Sequence, residues 1–147
     1  MRHIFIARHG DYIGNELTVT GEQDIERLAD SIGEILNGNS VYLISSEVKR
    51  AVRSADIIAE KLGLPAEFKK VDWLFNGNHE TYERMDSIIQ YNNKDALIAV
   101  GHKGFVNGYP LYYMRHHHEL NNINFFRPKK GQYIYIDRQT SSHILLP

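Results

Sequence analysis

Apolar residues along this chain fall into two alternating patterns, short unbroken runs and longer stretches with helical spacing. Residues 3–7 (HIFIA) form a run that stops at Arg8-His9-Gly10, as a buried strand ending in a turn does. From Thr20 the sequence TGEQ offers a capping box, and Ile25, Leu28, Ile32, Ile35 and Leu36 follow at helical spacing until Asn37-Gly38-Asn39. The pair then repeats. Residues 41–45 (VYLIS) read as a second strand, and after Ser46 a helix carries Val48, Val52, Ala55, Ile58, Ala59 and Leu62 on one face, closed by Gly63 and Pro65.

Further on, residues 66–72 (AEFKKVD) can form a short strand, and Asn76-Gly77-Asn78 marks a loop before Glu80. Tyr82, Met85, Ile88 and Ile89 predict a helix ending near Asn92-Asn93, and residues 96–100 (ALIAV) are a continuous apolar run of the kind that fills a parallel sheet. Gly104, Gly108 and Pro110 predict that any helix in 103–118 is broken or kinked. The chain ends in YIYID and SHILL around Arg138-Gln139-Thr140-Ser141, an expected antiparallel hairpin at the sheet edge. Strands alternating with helices in this order predict one α/β domain over 1–147, a three-layer α/β/α sandwich whose mostly parallel sheet carries helices on both faces and an antiparallel edge.

Composition narrows the function classes. The chain has 147 residues, 42% hydrophobic and 24% charged, with a net charge of -1, which gives no field suited to nucleic acid or an anionic membrane, so any anion recognition is local. It has no cysteine. Disulfides, thiolate metal sites and thiol nucleophiles are thereby excluded, and a reducing compartment is compatible. The apolar run at the N-terminus is far shorter than a signal peptide or a membrane span, and the expected location is cytoplasmic.

The chemistry-bearing residues sit where the predicted strands end. His9 follows the first strand, Arg50 opens the helix after the second, and His102 follows the third, so three distant positions share the rim where α/β sheets bind ligands. Arg8 adds a second guanidinium, and Gly10 leaves the backbone open to a ligand. Arginine suits phosphate because its planar fork donates paired hydrogen bonds and stays charged, and the N-terminus of the Arg50 helix adds amide donors. The cluster His116-His117-His118-Glu119 lacks the helical spacing of paired ligands, so a metal-dependent hydrolase is a distant reading.

Arg8-His9-Gly10, LTVTG (17–21), SSEVKRAVRSA (45–55) and VGH (100–102) resemble, in order and spacing, the histidine phosphatase (phosphoglycerate mutase-like) superfamily, in particular its small phosphohistidine phosphatases. The resemblance runs from about residue 2 to residue 105. It implies that His9 attacks phosphorus and becomes phosphohistidine while Arg8, Arg50 and His102 hold the phosphoryl oxygens, with Asn15 near the phosphate and neither metal nor other cofactor. It further implies a carboxylic acid for the leaving group, with Glu80 as first choice and Asp11 or Glu83 as alternatives, although small members can lack one when the substrate is phosphohistidine. The expected partner is a phosphorylated small molecule or a phosphohistidine protein, with no nucleic acid and no membrane. Phosphoglycerate mutase-type phosphotransfer and a non-catalytic phosphate-binding regulatory module are the alternatives.

Overall fold

The computed structural model describes residues 1–117, 127–139 and 142–146. The first apolar run is strand β1 (His3–Arg8), and its alternation decides the layering. Ile4 and Ile6 point to one side of the sheet, and Phe5 and Ala7 to the other. Strand β6 (Ala96–Gly101) lies parallel to β1 with Arg8 opposite Gly101, and splits in the same way, Leu97 and Ala99 against Ile98 and Val100. A strand buried on both faces has to be apolar at every position, which is why these runs show no polar alternation.

Helix α1 (Val19–Leu36) and helix α2 (Lys49–Leu62) cover one face through Ile25, Leu28, Ile32, Ala51, Ala55 and Ile58. Helix α3 (His79–Tyr91) and helix α4 (Lys103–His117) cover the other through Met85, Ile89, Phe105, Val106 and Tyr109. Between them run strands β4 (Val41–Ser46) and β5 (Lys69–Val71), then β7 (Tyr133–Asp137) and β8 (Ser142–Leu146), giving the sheet order β5-β4-β6-β1-β7-β8. β5, β4, β6 and β1 are mutually parallel, and β7 and β8 form the antiparallel edge. This is a three-layer α/β/α sandwich. No described helix is long and apolar enough to cross a membrane.

Two local expectations need correction. The cap of α1 is Thr18, whose hydroxyl accepts the Gly21 N–H at 2.9 Å; Thr20 lies inside the first turn, because the cap sits two residues before the TGEQ box. Helix α4 runs unbroken through Pro110. The proline forfeits one intrahelical bond, but Phe105, Val106, Tyr109 and Tyr113 on the same helix are buried against the sheet, and that packing outweighs the loss. Residues 12–17, which show no clear pattern in sequence, form a two-stranded ribbon of β2 (Tyr12–Ile13) and β3 (Glu16–Leu17). The terminal hairpin forms, with Thr140 and Ser141 of its turn outside the described residues.

Candidate active site

The strand order puts β6 between β4 and β1, so three carboxyl ends lie side by side: Ser46 of β4, Gly101 of β6 and Arg8 of β1. The residues just beyond them are His102 and His9, whose rings stand 4.9 Å apart. Both are almost fully buried, at 4% and 3% exposure. The first turn of α2 brings Arg50 to the same point, where its Nε donates to His9 Nε2 at 3.3 Å and its Nη2 lies 3.5 Å from His102 Nδ1. Residues 41 and 52 positions from Arg50 in sequence thus meet on one guanidinium.

Each imidazole is held by a neighbour. His9 Nδ1 is 2.8 Å from the Gly10 carbonyl, which can only accept, so the hydrogen sits on Nδ1 and the Nε2 lone pair faces Arg50. Burial lowers the His9 pKa to about 4; Arg50, Arg8 and Lys130 push the same way and the Gly10 carbonyl opposes them. His102 Nε2 is 2.8 Å from Ser46 Oγ, and burial first, with His9, Arg50 and Arg8 after it, lowers its pKa to about 3. Both rings are therefore neutral at neutral pH, the state in which imidazole is a nucleophile.

Arg8 completes the charge. Its Nη1 donates to the Pro128 carbonyl at 3.3 Å, while its Nε is buried with no hydrogen-bond partner among the described residues, a donor available to an anion. Gly10 is also required by the packing. A Cβ built there would meet the Gly21 carbonyl oxygen at 2.7 Å, so the missing side chain makes room for α1. The Gly10 N–H is taken by Ser54 Oγ at 3.1 Å.

The remaining expected residues do not join this cluster. Asn15 is exposed at the tip of the β2-β3 ribbon and makes no hydrogen bond among the described residues. Glu80 faces solvent and pairs with Arg84 at 2.7 Å, and Glu83 pairs with His79 at 2.9 Å. Asp11 is close to His9 in sequence, but its carboxylate pairs with Lys130 at 2.9 Å, and that hydrogen bond, with a second from the Tyr12 N–H, holds its pKa below the usual carboxylate range. Of the histidine run, His116 bonds the Tyr112 carbonyl and His117 pairs with Asp86, while His118 and Glu119 lie outside the described residues. No group of three or more His, Cys, Asp or Glu among the described residues is arranged to hold a metal ion.

Several site residues were not anticipated. The Tyr12 ring lies edge-on to His9 at 5.3 Å and carries the Arg50 guanidinium at 4.3 Å and the Lys130 ammonium at 4.7 Å over its π system. Phe75 packs on the His102 ring at 4.3 Å, its loop anchored where His102 N–H donates to the Leu74 carbonyl. Lys130 arrives because the Gly131 N–H bonds the Arg8 and His9 carbonyls. The only sequence signal for it was the small basic pair Lys129-Lys130, too short to read as a site.

A family model for the histidine phosphatase superfamily (branch 1) matches residues 4–74, a span that holds Arg8, His9 and Arg50. No curated protein matches the sequence. Among solved structures, the chain is similar in fold to the protein histidine phosphatase SixA complexed with tungstate, at TM-score 0.73 and 14% identity over 99% of this chain and 94% of that one. The ecdysone phosphate phosphatase from Bombix mori, also with tungstate, gives TM-score 0.73 and 11% identity over 100% and 94% of the two chains. The alpha-ribazole phosphatase from Shigella flexneri gives 0.60 and 18% over 98% and 94%. A sequence match over residues 4–74, just under half of the chain, and a fold match over its whole length make this chain similar to the histidine phosphatase superfamily.

Proposed function

We propose that the protein is a metal-independent phosphatase that passes a phosphoryl group through a covalent phosphohistidine on His9. The observation that carries this reading is the His9 ring itself, hydrogen-bonded through Nδ1 to the Gly10 carbonyl at 2.8 Å and turning a neutral Nε2 toward Arg50. In the first step the Nε2 lone pair attacks phosphorus in line with the leaving group, the bond from phosphorus to the leaving atom breaks, and that atom keeps the electron pair. Arg8, Arg50 and His102 hold the three phosphoryl oxygens, where fixed donors count most in a site closed to water. In the second step water attacks phosphorus, the Nε2–P bond breaks, and inorganic phosphate leaves with the water's proton distributed to solvent. The net reaction consumes one water for each phosphoryl group released.

Leaving-group chemistry narrows the substrate. Glu80 is exposed and ion-paired, and Asp11 is held ionised by Lys130, so neither is suited to donate a proton at neutral pH. A substrate that leaves without a carboxylic acid fits best, above all the imidazole of a protein phosphohistidine, then an aryl phosphate. The tungstate carried by two fold neighbours, an oxyanion shaped like phosphate, supports the same pocket chemistry. A chain without cysteine suits work in the reducing cytoplasm.

The test is hydrolysis, with EDTA present, of p-nitrophenyl phosphate, a phosphohistidine peptide and an alkyl phosphate by the wild type and His9→Ala. The expected outcome is turnover of the first two, little of the third, and none by the variant. Full activity of His9→Ala would remove His9 as the acceptor; equal rates on the alkyl and aryl esters would overturn the leaving-group argument.

A further inference from the structure

We propose that Ser46 is a positioning residue that fixes His102 in the tautomer bearing its hydrogen on Nδ1, so that this N–H faces the phosphoryl group. The inference rests on the reading that phosphate binds between His9, Arg50 and His102.

The argument is one of counting hydrogens. Ser46 Oγ, on a residue 2% exposed, lies 2.8 Å from His102 Nε2 and 3.2 Å from the Val48 N–H, which donates to it. A hydroxyl has one hydrogen and two lone pairs. One lone pair serves Val48, and among the described residues the only acceptor for the hydroxyl hydrogen is His102 Nε2. Nε2 then carries the lone pair and Nδ1 the hydrogen. The opposite tautomer would strand the serine hydrogen in a buried site, at the cost of an unsatisfied donor, and would aim a nitrogen lone pair at an anion.

Arg50 opposes this only weakly: its Nη2, which can only donate, stands 3.5 Å from His102 Nδ1, the outer limit for a hydrogen bond, whereas the buried Ser46 contact is 2.8 Å, and the shorter bond sets the tautomer. The two rings thus hold complementary states. His9 is locked by the Gly10 carbonyl as a lone-pair donor to phosphorus through Nε2, and His102 by a hydroxyl as a hydrogen-bond donor to a phosphoryl oxygen through Nδ1. In sequence Ser46 is part of the SSEVKRAVRSA segment and links β4 to α2, but its role depends on β4 and β6 being neighbours.

The test uses the full chain labelled with 15N. Histidine ring spectra of the ligand-free wild type are expected to show His102 protonated at Nδ1 and bare at Nε2, and Ser46→Ala to lose that single tautomer. Calorimetry with inorganic phosphate should find binding about tenfold weaker in Ser46→Ala, the scale of one lost buried partner, and restored in Ser46→Thr, which keeps the hydroxyl. A wild-type ring protonated at Nε2, or undiminished phosphate affinity in Ser46→Ala, would overturn the inference. If the wild-type ring has the expected tautomer but phosphate does not bind at all, the phosphate-site reading fails and the tautomer stands.

Discussion

Replacing Arg50 by alanine separates catalysis from folding at this site. Among the described residues its guanidinium is the one group that hydrogen-bonds both imidazoles, at 3.3 Å from His9 Nε2 and 3.5 Å from His102 Nδ1. Loss of one preorganised donor to a developing anion lowers kcat by about 100- to 1,000-fold, or roughly 2.7–4 kcal/mol. The effect on stability should be far smaller, because two contributions oppose each other. The contact with the Tyr12 ring at 4.3 Å is worth roughly 0.5–1 kcal/mol, while a cation in the first turn of α2 opposes the helix dipole by about 0.3–1 kcal/mol. Removing Arg50 also takes away a charge that depresses the His9 pKa, so His9 becomes more basic, and a weaker nucleophile cannot explain the loss. Single-turnover phosphorylation should therefore slow by two to three orders of magnitude while the urea midpoint moves little. A folded Arg50→Ala protein within threefold of wild-type turnover would refute the assignment of Arg50 to the phosphoryl oxygens.

Other variants follow from the same geometry. Gly10→Ala forces a Cβ to within 2.7 Å of the Gly21 carbonyl oxygen, a backbone atom that cannot rotate aside, and should destabilise by about 1–3 kcal/mol in urea unfolding; an unchanged midpoint would show that the two segments can part freely. Glu80→Gln loses only an exposed pair with Arg84, so turnover should stay within about twofold and stability within roughly 0.5 kcal/mol; a hundredfold loss would make Glu80 the acid after all. His9 and His102 are depressed to about 4 and about 3, so the unfolded chain binds more protons than the native one as pH falls below about 6.5. Their contribution to stability is full above about 6.5 and declines toward the folded pKa values. Urea unfolding between pH 7 and 4 should show a steeper decline in the wild type than in a variant with both rings replaced by glutamine, and parallel profiles would refute it.

How much of this was legible beforehand varies by residue. The apolar runs at 3–7, 41–45 and 96–100 announced their strands because burial on both faces leaves no alternative to apolar side chains. Gly63 closes α2 and Asn37 closes α1 in left-handed conformations, as local sequence signals predict. The α1 cap was misread by two residues because Thr20 heads a Thr-x-x-Gln box in sequence while Thr18, three residues before Gly21, does not, and only the contact with the Gly21 N–H reveals Thr18 as the cap. Glu80 was chosen for lying near a loop that could reach the site; its direction depends on the rotation of α3, which turns it to solvent.

By itself the sequence determined the alternation of strand and helix, and with it that His9, Arg50 and His102 stand at strand ends and a helix start, since those features depend on local apolar period and caps. Only the tertiary structure decided that β6 lies between β4 and β1, which sets Ser46 on His102 and both beside His9. It also decided that Lys130 and Tyr12 enclose the same charge cluster. Such pairings join residues tens of positions apart, and what fixes them is the burial of both sheet faces at once, a property of the assembled layers that no local window of residues carries.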